Sequence, residues 1–473
     1  MSSNTNAKFI KMTTEPVEKL VCKLALPTII SMLVTTFYNL ADTFFVRLLD
    51  NDSMVAAVGV VLPLMNIIQA FGFFCGHGAG NYISRALGRQ DKKDAEIMAA
   101  TGFGWAFIFG LAIAVPGLIF REPLAILLGA KTEATLAATV DYMTWILLAT
   151  PFMTGAVVLN NQLRMQGNAM FAMVGLTSGA ILNIVLDPIL IFKAGMGVTG
   201  AALATAISQI VGFILLIIGL YKSDTIRINP KLITLSPKYL YGIVQGGLPS
   251  LARQGLASIA AASLNHSVGL FLVGGALIDA AQAAMTGVSK LMLFLSSALI
   301  GFGQGFQPVC GFNFGAKKYD RVIKAYNFCV KSSFFVLVGM AIIGFIFAEP
   351  ITATVAGTSE EAARIAAFTF RAQLCVFPLM SWVILCNMLL QNIGLTFRAT
   401  FVAATRQGLA FIPSVFLLPL ICKLVGAAPL LGLQLAQGFS DILAFVISVP
   451  IGLGVLRELR AGKLYDIKEE KKS

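Results

Sequence analysis

Charge is what this chain has least of. Asp, Glu, Lys and Arg make up only 12% of its 473 residues, and its mean hydropathy is +0.82. A soluble domain carries about 25% charged residues, so a water-soluble globular fold is excluded. There are two histidines, His77 and His266, and seven scattered cysteines, which leaves neither a zinc-type ligand spacing nor a disulfide frame. The glycine runs GHGAG at 76–80 and GFGQG at 301–305 follow no strand and precede no Lys-Ser/Thr pair. They are not phosphate loops, and their four-residue glycine spacing suits close helix packing instead. No nucleophile–base pattern appears, so neither an enzyme nor a cofactor is expected. Ten-residue segments of alternating polarity, which would announce a membrane barrel, are missing. The N-terminal stretch from Met1 to Leu20 lacks an apolar core, so the chain is expected to enter the membrane by its first span, without a cleavable signal.

What the chain has in plenty is apolar sequence in lengths of about 20 residues, enough for a helix to cross a bilayer. Twelve spans are predicted, at residues 24–46, 54–84, 98–120, 136–162, 169–192, 197–220, 240–267, 278–310, 325–348, 366–390, 400–423 and 430–456. Basic residues set their direction. Both tails, the second–third and eighth–ninth connections and the link after the sixth span together hold 22 of the 35 Lys and Arg. Positive charge stays in the cytoplasm, so both termini are expected there. The net charge of +12 thus reflects topology and contact with anionic lipid rather than nucleic-acid binding.

The chain also repeats itself. Gly88 and Gly315, Pro151 and Pro378, Asn160 and Asn387, and Gly167 and Gly394 pair at one constant offset, their numbers differing by 227 every time. Leu26-Pro27 matches Leu248-Pro249 at 222, and the Gly200 to Ser208 stretch matches Gly432 to Ser440 at 232. Six spans return the chain to its starting side, so two six-helix lobes in parallel orientation follow. The fold expected is an all-α integral membrane protein of twelve helices in two pseudo-symmetric lobes. Residues 1–221 form the first lobe, 222–239 a cytoplasmic linker, 240–456 the second lobe and 457–473 a basic tail. Substrate then sits near mid-membrane between lobes that rock to give alternating access.

The polar residues inside the spans cluster in the first lobe. Residues 181–192 read ILNIVLDPILIF, which places Asn183 and Asp187 on one helix face, one turn apart. Pro188 cannot donate to the carbonyl of Ile184 and disfavours helical geometry at Asp187. The first span presents Thr35, Asn39 and Asp42 on one face. Counting inward from Arg47 and Lys193, Asp42 and Asp187 sit about 7–9 Å inside the outer boundary, and Thr205 and Tyr142 reach comparable levels. A carboxylate at that depth is costly unless paired, protonated or ion-bound, so these residues predict a cation or proton site. At the matching positions the second lobe has Leu264, Ala410 and Ser414. It carries bases instead: Arg253, Lys290 and Arg371, of which Lys290 and Arg371 are candidates for lining a substrate cavity. His77 reads as a packed or hydrogen-bonded histidine.

Four stretches, LALPTIISMLVTTFYNLADTFFV, NNQLRMQGNAMFAMV, ILNIVLDPILIF and GFGQGFQPVCGFNFGAKKYDRV, together resemble the multidrug and toxic compound extrusion (MATE) family over essentially the whole chain. The resemblance implies antiport of amphipathic organic cations, xenobiotics among them, against protons or sodium, with no other cofactor. It places the first-lobe cation site, for H+ or Na+, on Asp42, Asn183, Asp187 and Thr205, and puts Tyr142 and Asn160 on motif positions. These last two are separated by about 27 Å along a straight helix, too far to serve one ion. The missing second-lobe acids point to the branch with its cation site in the first lobe only. A monomer in the bacterial inner membrane, touching lipid and small molecules, is expected. The alternative within the superfamily is a lipid-linked glycan flippase, whose anionic substrate would need bases such as Lys290 and Arg371. A receptor or channel is disfavoured by the repeat and the broken fifth helix.

Overall fold

The computed structural model describes residues 3–49, 51–223, 225–355 and 359–463; the side chains of Asn39 and Arg47 and the tail lysines beyond 463 lie outside the described residues. The elements in order are α1 (Ser3–Thr14), α2 (Val17–Arg47), α3 (Asp52–Gly88), α4 (Lys92–Ile119), α5 (Arg121–Leu128), α6 (Glu133–Met165), α7 (Ala169–Pro188) and α8 (Gly197–Ser223), then α9 (Pro237–Phe271), α10 (Gly275–Gly315), α11 (Tyr319–Ile346), α12 (Ala348–Ala353), α13 (Glu360–Val376), α14 (Met380–Ile393), α15 (Thr396–Ala404), α16 (Phe411–Leu424) and α17 (Pro429–Arg460). Pairs α13–α14 and α15–α16 are each one membrane crossing, joined by a 3-10 turn (Phe377–Leu379) and a π turn (Thr405–Ala410). Among the described residues there is no strand.

Among the described residues, eleven of the crossings are apolar enough to span a membrane by length and composition; the twelfth, α9, has the length but carries Gln245, Arg253 and Gln254. Apart from α7 and α8, which start where predicted, the crossings begin earlier than the predicted spans because their polar ends stay helical outside the apolar stretch. Asp91 caps α4 by accepting from the Asp94 amide at 3.0 Å, and Asn51 caps α3 by accepting from the Met54 amide at 3.2 Å. Left-handed Gly167 and Gly394, with φ of 76° and 79°, turn the chain after the fourth and tenth crossings.

The repeat has a structural counterpart. Asn160 Nδ2 donates to Ala172 O at 3.0 Å, and its mate Asn387 donates to Ala399 O at 2.7 Å. Thr154 and Ser381 bond back to the carbonyls of Pro151 and Pro378. The lobes meet by exchanging the same contact twice: α2 packs on α10, and α9 packs on α3. These contacts are dense on the side that carries the basic connections, here called the basic side. A Cβ on Gly78 would stand 2.3 Å from Ile243 O, and one on Gly305 would stand 2.4 Å from the Ala25 Cα, so backbones touch there as only glycine permits. Gly88 and Gly315 meet across the pseudo-twofold axis.

Polar ties reinforce that side. Asp94 accepts from Lys238 Nζ at 2.7 Å, Tyr82 Oη at 2.7 Å and Tyr239 Oη at 2.9 Å, which fastens α4 to the start of α9. Helix α1 lies across both lobes. Lys8 donates to Asn168 in the first, while Asn313 Nδ2 and Lys318 Nζ of the second donate to Met12 O and Thr13 O, each at 3.0 Å.

Candidate cation site and cavity

Helix α7 presents Asn183 and Asp187 to the lobe interior, 1% and 0% exposed. From α8 comes Thr205, from α2 Asp42 and Tyr38, and from α6 Tyr142. Asn183 Nδ2 donates to Asp187 Oδ1 at 3.4 Å and to Thr205 Oγ1 at 3.3 Å; both contacts are long. Asp42 and Asp187 lie within electrostatic range of each other, and Tyr38 and Tyr142 lie within range of both. Three acceptors are left over. Oδ1 of Asp42, Oδ1 of Asn183 and Oδ2 of Asp187 are buried and have no donor among the described residues. A bare buried polar group costs about 1–3 kcal/mol, more when charged. A cluster of acceptors short of donors is what a proton or a hard cation completes, and an all-oxygen set suits Na+.

Pro188 acts differently from expectation. The helix continues through Asp187 to Pro188, and the chain then relaxes as a π turn, Ile189–Lys193, where the Ala194 amide donates to Ile189 O at 2.8 Å. The irregular backbone thus falls just beyond the carboxylate, and Asp187 keeps its helical place beside Asn183.

Next to this site the first lobe encloses a cavity of about 160 Å³, with Asn183 and Thr205 in its wall and Phe73, Gln69, Asn160 and Gln209 further along. Drug-sized pockets run to roughly 300–1,000 Å³, so the cavity must widen to take such a compound. The carboxylates stand behind the wall; Asn183 and Thr205 belong to both compartments. Asn160 and Tyr142 prove to serve different places. Tyr142 is packed beside the acids, while Asn160 lines the cavity and braces α7 through Ala172. The side chain of Asn39 lies outside the described residues.

The second lobe differs at both levels. The π turn Thr405–Ala410 inserts a residue, so register slips by one: Gly200 abuts Leu190 and Ile191, whereas Gly432 abuts Leu418 and Pro419. Val415 rather than Ser414 then answers to Asp187, and Phe411 rather than Ala410 to Asn183. Both belong to an apolar cluster with Ala260 and Leu264, so the place of the cation site is greasy there. Gly179 and Gln209, which line the first-lobe cavity, are answered by Arg406 and Asp441. Arg406 Nε donates to Asp441 Oδ1 at 2.8 Å, and Asp441 is 2% exposed. The second lobe therefore does hold a buried acid within its spans, which comparison of the three first-lobe positions alone overlooks. A charge midway along the eleventh and another along the twelfth span was the available signal.

Of the other bases, Arg371 pairs with Glu349 at 3.2 Å and covers the Phe345 ring, joining α13 to the α11–α12 corner. Lys290 is half-buried on α10. His77 is packed, as its surroundings in sequence suggested: it stacks on Phe73 and shares a hydrogen bond with Ser250 Oγ at 3.0 Å.

Comparison with known proteins agrees with this architecture. The family profile described as MatE matches residues 27–189 and again 256–417. The multidrug export protein MepA of Staphylococcus aureus (strain MSSA476) is 30% identical over 437 residues, covering 91% of this chain and 93% of that protein. A structure described as the outward-facing conformation of a multidrug resistance MATE family transporter of the MOP superfamily superimposes with a TM-score of 0.88 at 25% identity, covering 96% of this chain and 98% of the other. A MOP superfamily transporter from Pyrococcus furiosus, described as having a binding pocket of reverse polarity that suggests a different function, gives 0.87 at 25% identity over 95% and 98% of the two chains.

Proposed function

We propose that this chain, which belongs to the MatE family of membrane transporters, is a multidrug exporter that expels amphipathic cationic compounds in exchange for protons or sodium. The observation that carries the coupling is the trio of donorless oxygens on Asp42, Asn183 and Asp187, of which Asn183 stands in the wall of the first-lobe cavity and the two carboxylates behind it. Asn183 and Thr205 face both compartments. An ion that gathers the trio pulls these two side chains towards the carboxylates; its departure frees them to turn to the cavity. Ion and drug thereby compete for one wall, which is the differential interaction that antiport requires. The apolar cluster at the corresponding place in the second lobe supports coupling through the first lobe alone. The flippase alternative loses one of its two bases, because Arg371 is already matched by Glu349.

The basic side, where the lobes are bolted together, is on this reading the cytoplasmic face of the bacterial inner membrane. Labelling of single cysteines by an impermeant maleimide in intact cells is expected at position 195 and absent at position 230; the reverse pattern overturns the orientation.

The exporter itself is tested in proteoliposomes preloaded with a lipophilic dye cation. Dye movement is expected to follow an imposed proton or sodium gradient and to stop when that gradient is collapsed. Dye flux indifferent to both gradients refutes antiport. The ion whose gradient suffices is thereby identified.

A further inference from the structure

The two seams between the lobes are fastened by opposite charges on the basic side, and the coupling scheme uses neither. Asp94, in the first turn of α4, is 6% exposed and takes four donors. Two belong to its own lobe: Tyr82 Oη at 2.7 Å and Arg89 Nη2 at 3.2 Å. The other two come from the start of α9 in the opposite lobe, Lys238 Nζ at 2.7 Å and Tyr239 Oη at 2.9 Å. One buried carboxylate is thus shared between the lobes. Hydrogen bonds to an ionised group are roughly twice as strong as neutral ones, so this is a strong tie. The Lys238 side chain is 55% exposed, and water can take its ammonium when the tie breaks. The tie is therefore releasable.

The internal repeat puts a base at the equivalent place. Arg321 answers to Asp94 at the offset of 227, and Pro16 and Val17 answer to Lys238 and Tyr239 at 222. Arg321 reaches across the second seam as Asp94 does across the first. Its Nη2 donates to Glu15 O at 2.6 Å, just before α2, while its Nε holds Asn313 Oδ1 of its own lobe at 2.9 Å. Lys318 adds its bond to Thr13 O, and Lys324 pairs with Glu18 at 3.1 Å. Here the acceptors across the seam are main-chain carbonyls and one carboxylate in an exposed pair, which contributes little. Of the two seams, the one between α4 and α9 is held by a buried charge. When the lobes part on the basic side, Asp94 keeps Tyr82 and Arg89, which move with it, and gives up Lys238 and Tyr239.

We propose that Asp94, with Lys238 and Tyr239, is the latch that sets the balance between the closed and the open basic side during transport. Tyr82 and Arg89 keep the carboxylate in place for the next closure. The latch rests on the lobes moving apart in the exporter's cycle, and on nothing about which compound or ion is carried.

The test uses the full-length protein on a cysteine-free background, with one cysteine placed at Ile243. That residue is buried on α9, its carbonyl against Gly78 of the first lobe. The rate of maleimide labelling is read in membranes exposed on their basic side, with no drug present. Lys238→Gln is expected to raise the rate about tenfold, the scale of one charge-assisted hydrogen bond. Tyr239→Phe should raise it several-fold, and Lys238→Arg, which keeps the donor and the charge, should label as slowly as the unaltered protein. Arg89→Gln and Tyr82→Phe remove bonds to the same carboxylate from within one lobe and should not raise the rate. Lys238 is half-exposed and Tyr239→Phe keeps its ring, so both inter-lobe variants fold. An equal rise in the inter-lobe and the own-lobe pairs makes Asp94 a structural anchor and overturns the latch. No rise in Lys238→Gln and Tyr239→Phe overturns it as well. Dye flux indifferent to ion gradients, with the labelling pattern as expected, would refute the exporter and leave the latch standing.

Discussion

Asp187→Asn is expected to abolish gradient-driven export while the protein still inserts and folds. The side chain is fully buried, with its Oδ1 held by Asn183 and its Oδ2 without a donor. Asparagine keeps the shape and the acceptor towards Asn183. It replaces the bare oxygen with an amide that donates, and donorless oxygens on Asp42 and Asn183 stand ready to accept. The substitution thus supplies from within what the coupling ion supplies from outside. The site loses its negative charge and its need for a cation together. A charged hydrogen-bonding partner at a buried site contributes about 1.5–3 kcal/mol, so ion affinity should fall by roughly one to two powers of ten, enough to uncouple transport. Thermal stability should hold or rise, because a buried charge has been removed. Asp42→Asn is expected to do the same. Ser414→Ala and Val415→Ala, at the corresponding level of the second lobe, should leave coupling intact. Vesicle efflux under an imposed gradient, normalised to expressed protein, decides it: near-normal coupled transport in Asp187→Asn refutes the mechanism. A comparable loss in Ser414→Ala would remove the claim that coupling belongs to the first lobe.

Only part of this site is legible in the sequence, and the division has physical reasons. The crossings and the repeat are legible because hydropathy and helix periodicity are local properties. Asn183 and Asp187 are legible as a pair because one helical turn separates them, and Thr205 because depth can be counted from a span end. Three features were hidden. The cavity depends on what Gly179 and Gln209 leave empty, and a void has no letter in the sequence. The π turn at Thr405–Ala410 is marked only by Gly408 within it and Pro413 just after it, neither of which announces an inserted residue, yet it moves every later residue of α16 by one and reassigns the partner of Asp187 from Ser414 to Val415. Asp441 and Arg406 lie 35 residues apart, and only the packing of α17 on the π turn shows that they are one ion pair. Pro188, by contrast, was visible, but its effect was displaced: the backbone yields after the proline rather than at the carboxylate before it.

Gly305→Leu and Gly78→Leu should each loosen the basic side of the molecule. The two glycines are equivalents under the internal repeat, and each admits the backbone of the opposite lobe. A Cβ on Gly305 would lie 2.4 Å from Ala25 Cα and 2.5 Å from Ala25 N; one on Gly78 would lie 2.3 and 2.9 Å from Ile243 O and its Cα. The obstacle in both cases is main chain, which cannot swing aside as a side chain does. Overpacking of this kind costs about 1–3 kcal/mol or more. The cost falls on the state in which the lobes touch, and is relieved when they part on that side. Packing away from the seam, around Tyr142 and Phe213 in the first lobe and around Phe411 and Val415 in the second, is untouched, so both variants should fold. At about 1.4 kcal/mol per factor of ten, the balance between closed and open basic sides should shift by about tenfold or more towards open. A Cβ on Gly72, further towards the opposite side, has the Val157 side chain of its own lobe as its nearest neighbour, at 3.0 Å, so Gly72→Leu serves as the control. The readout is maleimide labelling of a single cysteine placed at Leu24, a buried position on α2, in membranes exposed on their basic side. Faster labelling in both glycine variants and not in the Gly72 control is expected, together with a fall in export, because the closed state is one of the two that the transport cycle must visit. Unchanged labelling in the pair would mean that these backbone contacts do not gate the lobes.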